Sequence, residues 1–196
     1  MSAPNRRRFL NNCAWLAAGV SGGMLVPRWM PLGAPVLAQD DAAPSPEERL
    51  RKLKIELPMA GKPTGYVPAV RVDSLLYVSG YEPRKADGGP LVGKLGKDLD
   101  VKEGYQAARQ VALLVLSVVR AELGSLDKVV RLVKTFGMVN CMPTFTQTPQ
   151  VINGFNDLMA EIFGEKAGKG ARSAVGMNSL PDGSAVEIEA IFQVKA

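Results

Sequence analysis

The 196-residue chain contains no histidine and only two cysteines, Cys13 and Cys141. Without imidazole there can be no serine–histidine triad, cysteine–histidine dyad, histidine-ligated zinc or histidine general base. Two cysteines are also too few for a thiolate metal cluster. Any chemistry must use carboxylates, arginine, lysine, tyrosine, serine, backbone groups and water, and we expect neither a metal ion nor an organic cofactor.

The sequence also lacks an N-terminal apolar run long enough to span a bilayer. Residues 13–26 are only weakly apolar and contain three glycines, whereas a spanning helix needs about 20 apolar residues. Arg6 and Arg7 precede the run, and residues 36–38, Val-Leu-Ala, follow it. This order is typical of a cleaved secretory signal over residues 1–38, and the paired arginines favour the twin-arginine route. We therefore expect export to the periplasm without stable membrane anchoring.

Most of the excess of positive charge falls in that predicted signal. The chain has 24 Lys and Arg against 19 Asp and Glu, a formal charge of +5. Four of the cations and none of the acids fall in residues 1–38, so the other 158 residues carry 20 against 19, or +1. Since the basic surface that nucleic acid requires is missing, we expect no nucleic-acid partner.

The remainder reads as a linker followed by one domain. Residues 39–45, rich in Asp, Ala and Pro, predict a flexible linker, and residues 46–196 are enough for a single domain with its own core. Cys141 would be alone once the signal is removed, so it cannot form an intramolecular disulfide. Cysteine in that position is most often a small buried hydrophobic residue.

The pattern of apolar residues and turn signals predicts an α+β domain. The predicted helices cover residues 46–53, 101–123 and 148–163, and the predicted strands cover residues 66–72, 75–79, 129–139, 171–177 and 185–194. A long loop from Glu82 to Gly96 includes a short strand near Leu91. The order strand pair, helix, strand, helix, strand pair predicts one sheet with both long helices on one face. The other face, partly apolar at Ile191, predicts a homo-oligomer with clefts between subunits.

Arg172 is the first candidate for chemistry, because it enters a strand that continues with small and apolar residues. A guanidinium there needs an anionic partner. That partner is either a protein carboxylate such as Glu187 or the carboxylate of a substrate, which the planar two-pronged group binds well.

Other polar residues near predicted strand ends are further candidates. Glu187 and Glu189 point to the same side of one strand, either into solvent or toward a water beside a bound substrate. Ser79 and Gly80 end another strand, as hydrogen-bond donors or as ordinary turn residues. Asn153, near a predicted helix start, is more often structural.

Several strings in this sequence resemble the reactive-intermediate deaminase family, also called the Rid/YjgF or L-PSP-type endoribonuclease family. They are Gly-Tyr-Val-Pro at 65–68, Leu-Leu-Tyr-Val-Ser-Gly at 75–80, Val-Asn at 139–140, Ala-Arg-Ser-Ala-Val at 171–175 and Val-Glu-Ile-Glu-Ala-Ile at 186–191. Gly-Lys-Leu-Gly at 93–96 and Val-Ile-Asn-Gly at 151–154 resemble a branch with an extended loop near residues 82–100. The resemblance covers residues 50–194.

The resemblance implies a chorismate-mutase-like single mixed sheet, a homotrimer and three sites between subunits. An arginine at the place of Arg172 grips the carboxylate of a 2-imino acid, and a glutamate at the place of Glu187 positions the hydrolytic water. Residues matching Tyr66, Ser79, Gly80, Asn153 and Ala174 add substrate contacts. Ala174 stands where the family commonly has cysteine, and Tyr81 where glutamine is frequent.

The expected function is therefore hydrolytic deamination of small 2-imino acids or enamines to 2-keto acids and ammonia, with a small carboxylate as substrate. The alternative is non-catalytic binding of small carboxylate or carbonyl metabolites in the same pocket. A ribonuclease activity is less favoured because the chain offers no histidine and no basic surface.

Overall fold

The structure is a computed structural model that describes residues 43–59, 61, 64–85 and 88–196. The predicted signal over residues 1–38 and residues 39–42 of the predicted linker lie outside the described residues. Within the described part, none of the helices combines the length and apolarity needed to cross a membrane.

The domain contains four helices and five strands in its described residues, together with two 3-10 turns. The helices are α1 Pro46–Lys52, α2 Val101–Leu123, α3 Thr148–Phe163 and α4 Glu165–Gly168, the last of which the sequence did not predict. The strands are β1 Ala69–Val72, β2 Leu75–Tyr81, β3 Val129–Asn140, β4 Ala171–Met177 and β5 Val186–Val194. The 3-10 turns are Leu126–Lys128 and Pro181–Gly183.

The helix ends follow the predicted signals. The Asp100 side chain accepts a hydrogen bond from the Glu103 amide, and the Glu103 side chain accepts one from the Asp100 amide, which forms a capping box at the start of α2. Gly124 ends α2 with a φ of 79°, a left-handed conformation that glycine adopts without strain. A second capping box, between Ser45 and Glu48, starts α1.

The five strands form one mixed sheet in the order β1-β2-β5-β3-β4. Neighbours are antiparallel except β3 and β4, which are parallel. The last two strands, expected as a pair, are not neighbours, because α3 carries the chain across the sheet so that β4 joins the outer edge of β3. β5 then pairs with the other edge of β3, and β4 remains an edge strand.

The core lies between one face of the sheet and the helices α2 and α3, as predicted. The alternating residues of β5 point inward from Val186 to Val194, and the apolar stripes of both helices are buried, apart from the half-buried Tyr105. The helices approach closely at Gly154, where an added Cβ would overlap the backbone carbonyl of Tyr105. The predicted α+β architecture is therefore confirmed.

The first hairpin differs from prediction at its outer end. β1 begins at Ala69 rather than Tyr66, because Pro68 lacks an amide hydrogen and residues 66–67 are exposed. β2 continues past Ser79 to Tyr81. The short strand expected near Leu91 is reduced to two isolated bridges, one between Pro90 and Arg84 and one between Val92 and Ser184.

Candidate functional site

Arg172 lies on the edge strand β4, with its side chain on the helix-facing side of the sheet. Its Nη1 donates to Asn153 Oδ1 at 2.6 Å and to Asn156 Oδ1 at 3.4 Å, both on α3. No carboxylate among the described residues forms an ion pair with the guanidinium. The guanidinium is therefore hydrogen-bonded to two neutral amide oxygens, and the side chain remains exposed.

The surroundings of Arg172 orient both asparagines. Asn153 and Asn156 are three residues apart on α3 and therefore share one face of that helix. Asn156 also makes a long 3.5 Å hydrogen bond to the buried Thr135 Oγ1, directly beside Arg172 in the β3–β4 register. Ala174 has the same strand parity as Arg172, and its carbonyl accepts a hydrogen bond of 3.1 Å from Thr148 Oγ1. We call Arg172, Asn153, Asn156 and Ala174 the arginine cluster.

Glu187 lies on the opposite, open face of the sheet, since its neighbours Val186 and Ile188 point into the core. Its carboxylate lies over Gly80 of β2, so closely that a Cβ at Gly80 would overlap Oε1 and lie 3.0 Å from Cδ. Burial raises the pKa of the Glu187 carboxyl above its ordinary value, and the nearby charge of Glu189 raises it further. Glu187 is thus suited to hold a proton at a higher pH than a solvated glutamate.

The residues beside Glu187 form an irregularity in the sheet. Val78 is opposite Ala190, but Tyr81 is opposite Ile188, so β2 has one extra residue at Ser79–Gly80. Ser79 Oγ donates to the Val67 carbonyl at 2.7 Å, and the Ser79 amide donates to the Pro68 carbonyl.

Through these bonds Ser79 holds the exposed segment that carries Tyr66, whose relative exposure is 59%. Tyr66 also contributes to raising the pKa of the nearby Tyr81. We call Glu187, Ser79, Gly80 and Tyr66 the glutamate cluster.

The two clusters do not meet within one chain. Glu187 and Val175 are both register partners of Met138, and Arg172 lies three residues before Val175 on the opposite face. Two strand spacings and three residues separate Arg172 from Glu187, roughly 10 Å across the sheet and 10 Å along it. The protein carboxylate that the sequence offered as a partner for Arg172 is therefore not its partner within the chain.

Two residues of the glutamate region had not been singled out as chemical groups. Tyr81 faces the core side and its hydroxyl is buried without a hydrogen bond; burial, with Tyr66 and Glu122, raises its pKa. Glu82 is partly buried, and its Oε1 has no hydrogen-bond partner. The sequence signal for Glu82 was its place two residues after Gly80, but its orientation depends on the extra residue in β2.

Other polar groups in this region are structural. Lys94 Nζ donates to Asn140 Oδ1 at 2.8 Å and to the Asn178 carbonyl at 2.6 Å, which fastens the loop before α2 to the end of β3. Cys141 is free and buried, as expected. The described residues contain no group of three or more cysteine, aspartate or glutamate side chains that could hold a metal ion.

A pocket of about 260 Å³ lies on the open face of the sheet, beside the glutamate cluster. Its lining includes Tyr77, Ser79, Lys134, Phe136 and Glu189. Apolar and charged side chains are mixed there, and Lys134 Nζ donates to Ser173 Oγ at 2.9 Å. Among the described residues, the long helices α2 and α3 pack on the other face of the sheet and leave this one open.

Comparison with known proteins points to one family. The profile of the family described as "YjgF/chorismate_mutase-like, putative endoribonuclease" matches residues 47–189. Protein TCP17 of Trypanosoma cruzi is 46% identical over 146 residues, which cover 74% of this chain and 91% of that protein.

Two solved structures share the fold. The protein Atu1372 of Agrobacterium tumefaciens, described as of unknown function, is 40% identical with a TM-score of 0.70, over 76% of this chain and 92% of that one. A Shewanella oneidensis protein, named like the family a "putative endoribonuclease", is 29% identical with a TM-score of 0.73, over 77% and 100% of the two chains.

Proposed function

Because the chain belongs to the YjgF/chorismate mutase-like family, we propose that it hydrolyses small 2-imino acids or enamines to 2-keto acids and ammonia. One observation carries the proposal: the Arg172 guanidinium is exposed, oriented by Asn153 and Asn156, and unpaired with any carboxylate among the described residues. Both hydrogen bonds use Nη1, so Nη2 and Nε remain to bind a substrate carboxylate as a fork.

The proposed site is completed by a second copy of the chain in a homotrimer. The distance between Arg172 and Glu187, and their positions on opposite faces, support a site built from two subunits. The edge strand β4 of one copy would bring its arginine cluster to the glutamate cluster of a neighbour, on the sheet face that the described helices leave open.

The proposed reaction depends more on the positions of the substrate and the water than on a strong nucleophile. An iminium carbon is already electrophilic, so fixing the carboxylate on Arg172 and a water beside Glu187 supplies most of what the reaction needs. The raised pKa of Glu187 makes its carboxylate a stronger base toward that water than a solvated glutamate. No metal ion or organic cofactor has a part in the proposed reaction.

We further propose that residues 1–38 direct the protein to the periplasm by the twin-arginine route. The support is the sequence alone: the paired Arg6 and Arg7, the short apolar run and the small residue Ala38. Replacement of residues 6–8 by lysine is expected to stop export, and arrival of that variant in the periplasm would contradict the route.

A second candidate is non-catalytic binding of small carboxylate or carbonyl metabolites by the same pocket. The Ser79 hydroxyl donates its hydrogen to the Val67 carbonyl, so it has no hydrogen left to donate to a reacting substrate. A binder needs only the arginine cluster, whereas a hydrolase needs Glu187 as well.

The deciding experiment follows the loss of 2-iminopropanoate, generated in place by an amino-acid oxidase, with the protein lacking residues 1–38. We expect the wild-type protein to accelerate hydrolysis beyond buffer, and Arg172→Ala and Arg172→Lys to fail, since lysine keeps the charge but loses the fork. If hydrolysis is not accelerated but pyruvate binding is lost in Arg172→Ala, the protein is a binder. Cleavage of RNA without imine hydrolysis would contradict both candidates.

A further inference from the structure

Glu82 follows the last residue of β2, and the extra residue in that strand decides its position relative to Glu187. The register changes from Val78 opposite Ala190 to Tyr81 opposite Ile188, where the ladder ends, and continuing it by one antiparallel step would bring Glu82 opposite Glu187. Without the extra residue, Tyr81 would occupy that place, since a shift of one residue exchanges the two faces of a strand. Two acidic residues are thereby brought near each other, and the charge of Glu187 raises the pKa of Glu82, so the arrangement is unfavourable when both are charged.

The immediate surroundings of Glu82 also disfavour a charge on it. Its Oε1 is buried without a hydrogen-bond partner, and so is Oγ of the fully buried Ser184. The nearby Ser184 hydroxyl lowers the pKa of the Glu82 carboxyl, but it forms no hydrogen bond that satisfies either of these two oxygens. A buried carboxylate oxygen without a donor is costly, whereas a carboxyl group that carries a proton is much less so.

We propose that Glu82 and Glu187 share a single proton, so that Glu82 keeps a proton available at the Glu187 carboxyl. This inference rests on the proposed function only for its use in catalysis; the shared proton itself is a property of the free protein. Glu82 acts through Glu187 and is a positioning residue rather than a catalytic one.

The charged groups around the pair favour a retained proton. Burial raises the pKa of Glu82 most, followed by the charges of Glu187 and Asp182, while Ser184 and Arg84 lower it. Glu187 also faces Glu189 on its own strand. Two further carboxylates, Asp182 and Glu189, thus act on the pair against the single guanidinium of Arg84, which opposes full ionisation of both groups.

A shared proton serves both halves of imine hydrolysis. As the water oxygen bonds to the iminium carbon, the C=N π electrons go to nitrogen and the pair takes one proton from the water. The pair then returns one proton to the nitrogen, and the C–N bond breaks with its electrons going to nitrogen. The C=O bond forms, and the hydroxyl proton leaves on the ammonia as ammonium. The pair ends each turnover with one proton, as it began.

The test compares Glu82→Gln with Glu165→Gln, which removes the same charge at the exposed surface of α4. Carbon-13 NMR of glutamate-labelled protein without substrate gives the titration midpoint of Glu187, assigned by the loss of its signal in Glu187→Gln. We expect Glu82→Gln to move that midpoint to lower pH, Glu165→Gln to leave it in place, and Glu82→Asp to restore most of the wild-type value. An unmoved midpoint in Glu82→Gln would overturn the shared proton.

The hydrolysis assay adds a second readout. In Glu82→Gln, kcat is expected to fall by roughly tenfold and the acid limb of its pH profile to move to lower pH, with KM nearly unchanged because Arg172 is intact. A normal pH profile in Glu82→Gln would overturn the role in catalysis. If the wild-type protein hydrolyses no imine, the proposed function fails, and the NMR titration alone decides whether the pair shares a proton.

Discussion

The carboxylate of Glu187 occupies the space that a side chain at Gly80 would fill. A Cβ at Gly80 would overlap Glu187 Oε1 and approach Cδ at 3.0 Å and Cγ at 3.1 Å. Since the φ of Gly80 is not in the left-handed region, the requirement for glycine at this position comes from the carboxylate above it. The extra residue in β2 and the missing side chain thus act together to seat Glu187 on the sheet.

Gly80→Ala is therefore expected to displace Glu187 without unfolding the domain. The added methyl group costs about 1–3 kcal/mol of stability where it overpacks, and rotation of the glutamate relieves part of that cost. We expect imine hydrolysis to fall at least about tenfold, because the water loses its base, while pyruvate binding by calorimetry stays near wild type. Gly61→Ala is the matched control, since nothing lies within 4 Å of a Cβ there; equal activity in both variants would contradict the assignment.

The unpaired state of Arg172 can be tested by supplying the missing charge. Asn153→Asp keeps the shape of the side chain and places a carboxylate where Oδ1 now accepts from Nη1 at 2.6 Å. The resulting ion pair should weaken binding of pyruvate at least about tenfold, because the substrate carboxylate then competes with an internal one. Calorimetric titration measures the affinity, and a thermal scan checks that the fold is intact.

Asn178→Asp provides the control for Asn153→Asp. Residue 178 is exposed and contributes only its backbone carbonyl to Lys94 in the described contacts. Unchanged pyruvate affinity in Asn153→Asp would show that Arg172 is not the carboxylate anchor.

A site shared between subunits makes two inactive proteins complement each other. Arg172→Ala keeps a wild-type Glu187, and Glu187→Gln keeps a wild-type Arg172. If the site joins Arg172 of one subunit to Glu187 of the next, an equal mixture assembled together should recover about a quarter of wild-type activity, by random assortment in a closed ring. The two proteins are unfolded, mixed and refolded, and light scattering gives the oligomeric state. Recovery of no activity, with trimers present, would place both residues in sites within single subunits.

Most of the fold could be predicted from the sequence because its signals are local. Capping at Asp100, the left-handed end at Gly124 and the alternation from Val186 to Val194 each depend on a few neighbouring residues, and the structure agrees. Strand order is not local in this sense. The placement of β3 between β4 and β5 depends on how α3 crosses the sheet, so the expected pairing of the last two strands was wrong.

In the candidate site, too, the residue types could be predicted from the sequence, whereas their positions in the sheet could not. The chemical types of Arg172 and Glu187 could be identified from sequence pattern and resemblance, but their positions on opposite faces follow from register. Asn156 could have been found from its spacing of three residues from Asn153 on a predicted helix. Glu82 could not, because one unpaired residue at Ser79–Gly80 decides which face of the sheet it occupies.

The acidic pair also predicts how stability depends on pH. A carboxyl group whose pKa is higher in the folded than in the unfolded protein binds more protons when folded, so stability falls as pH rises through the window between the two pKa values. The pKa values of Glu82 and Glu187 are both raised from an ordinary value of 4.5. The pair thus costs no stability below that value and has its full cost once the pH exceeds both folded pKa values.

Glu82→Gln should therefore be more stable than wild type at pH 7, because it removes a charge that the folded protein accommodates poorly, and the gain should shrink toward pH 4. Urea unfolding at both pH values and one fixed protein concentration measures the difference, since assembly makes stability depend on concentration. Glu165→Gln, which loses only an exposed ion pair with Lys169, should show little change at either pH. A loss of stability in Glu82→Gln at pH 7 would mean that the Glu82 carboxylate is stabilising when charged, and the opposed pair would not exist as described.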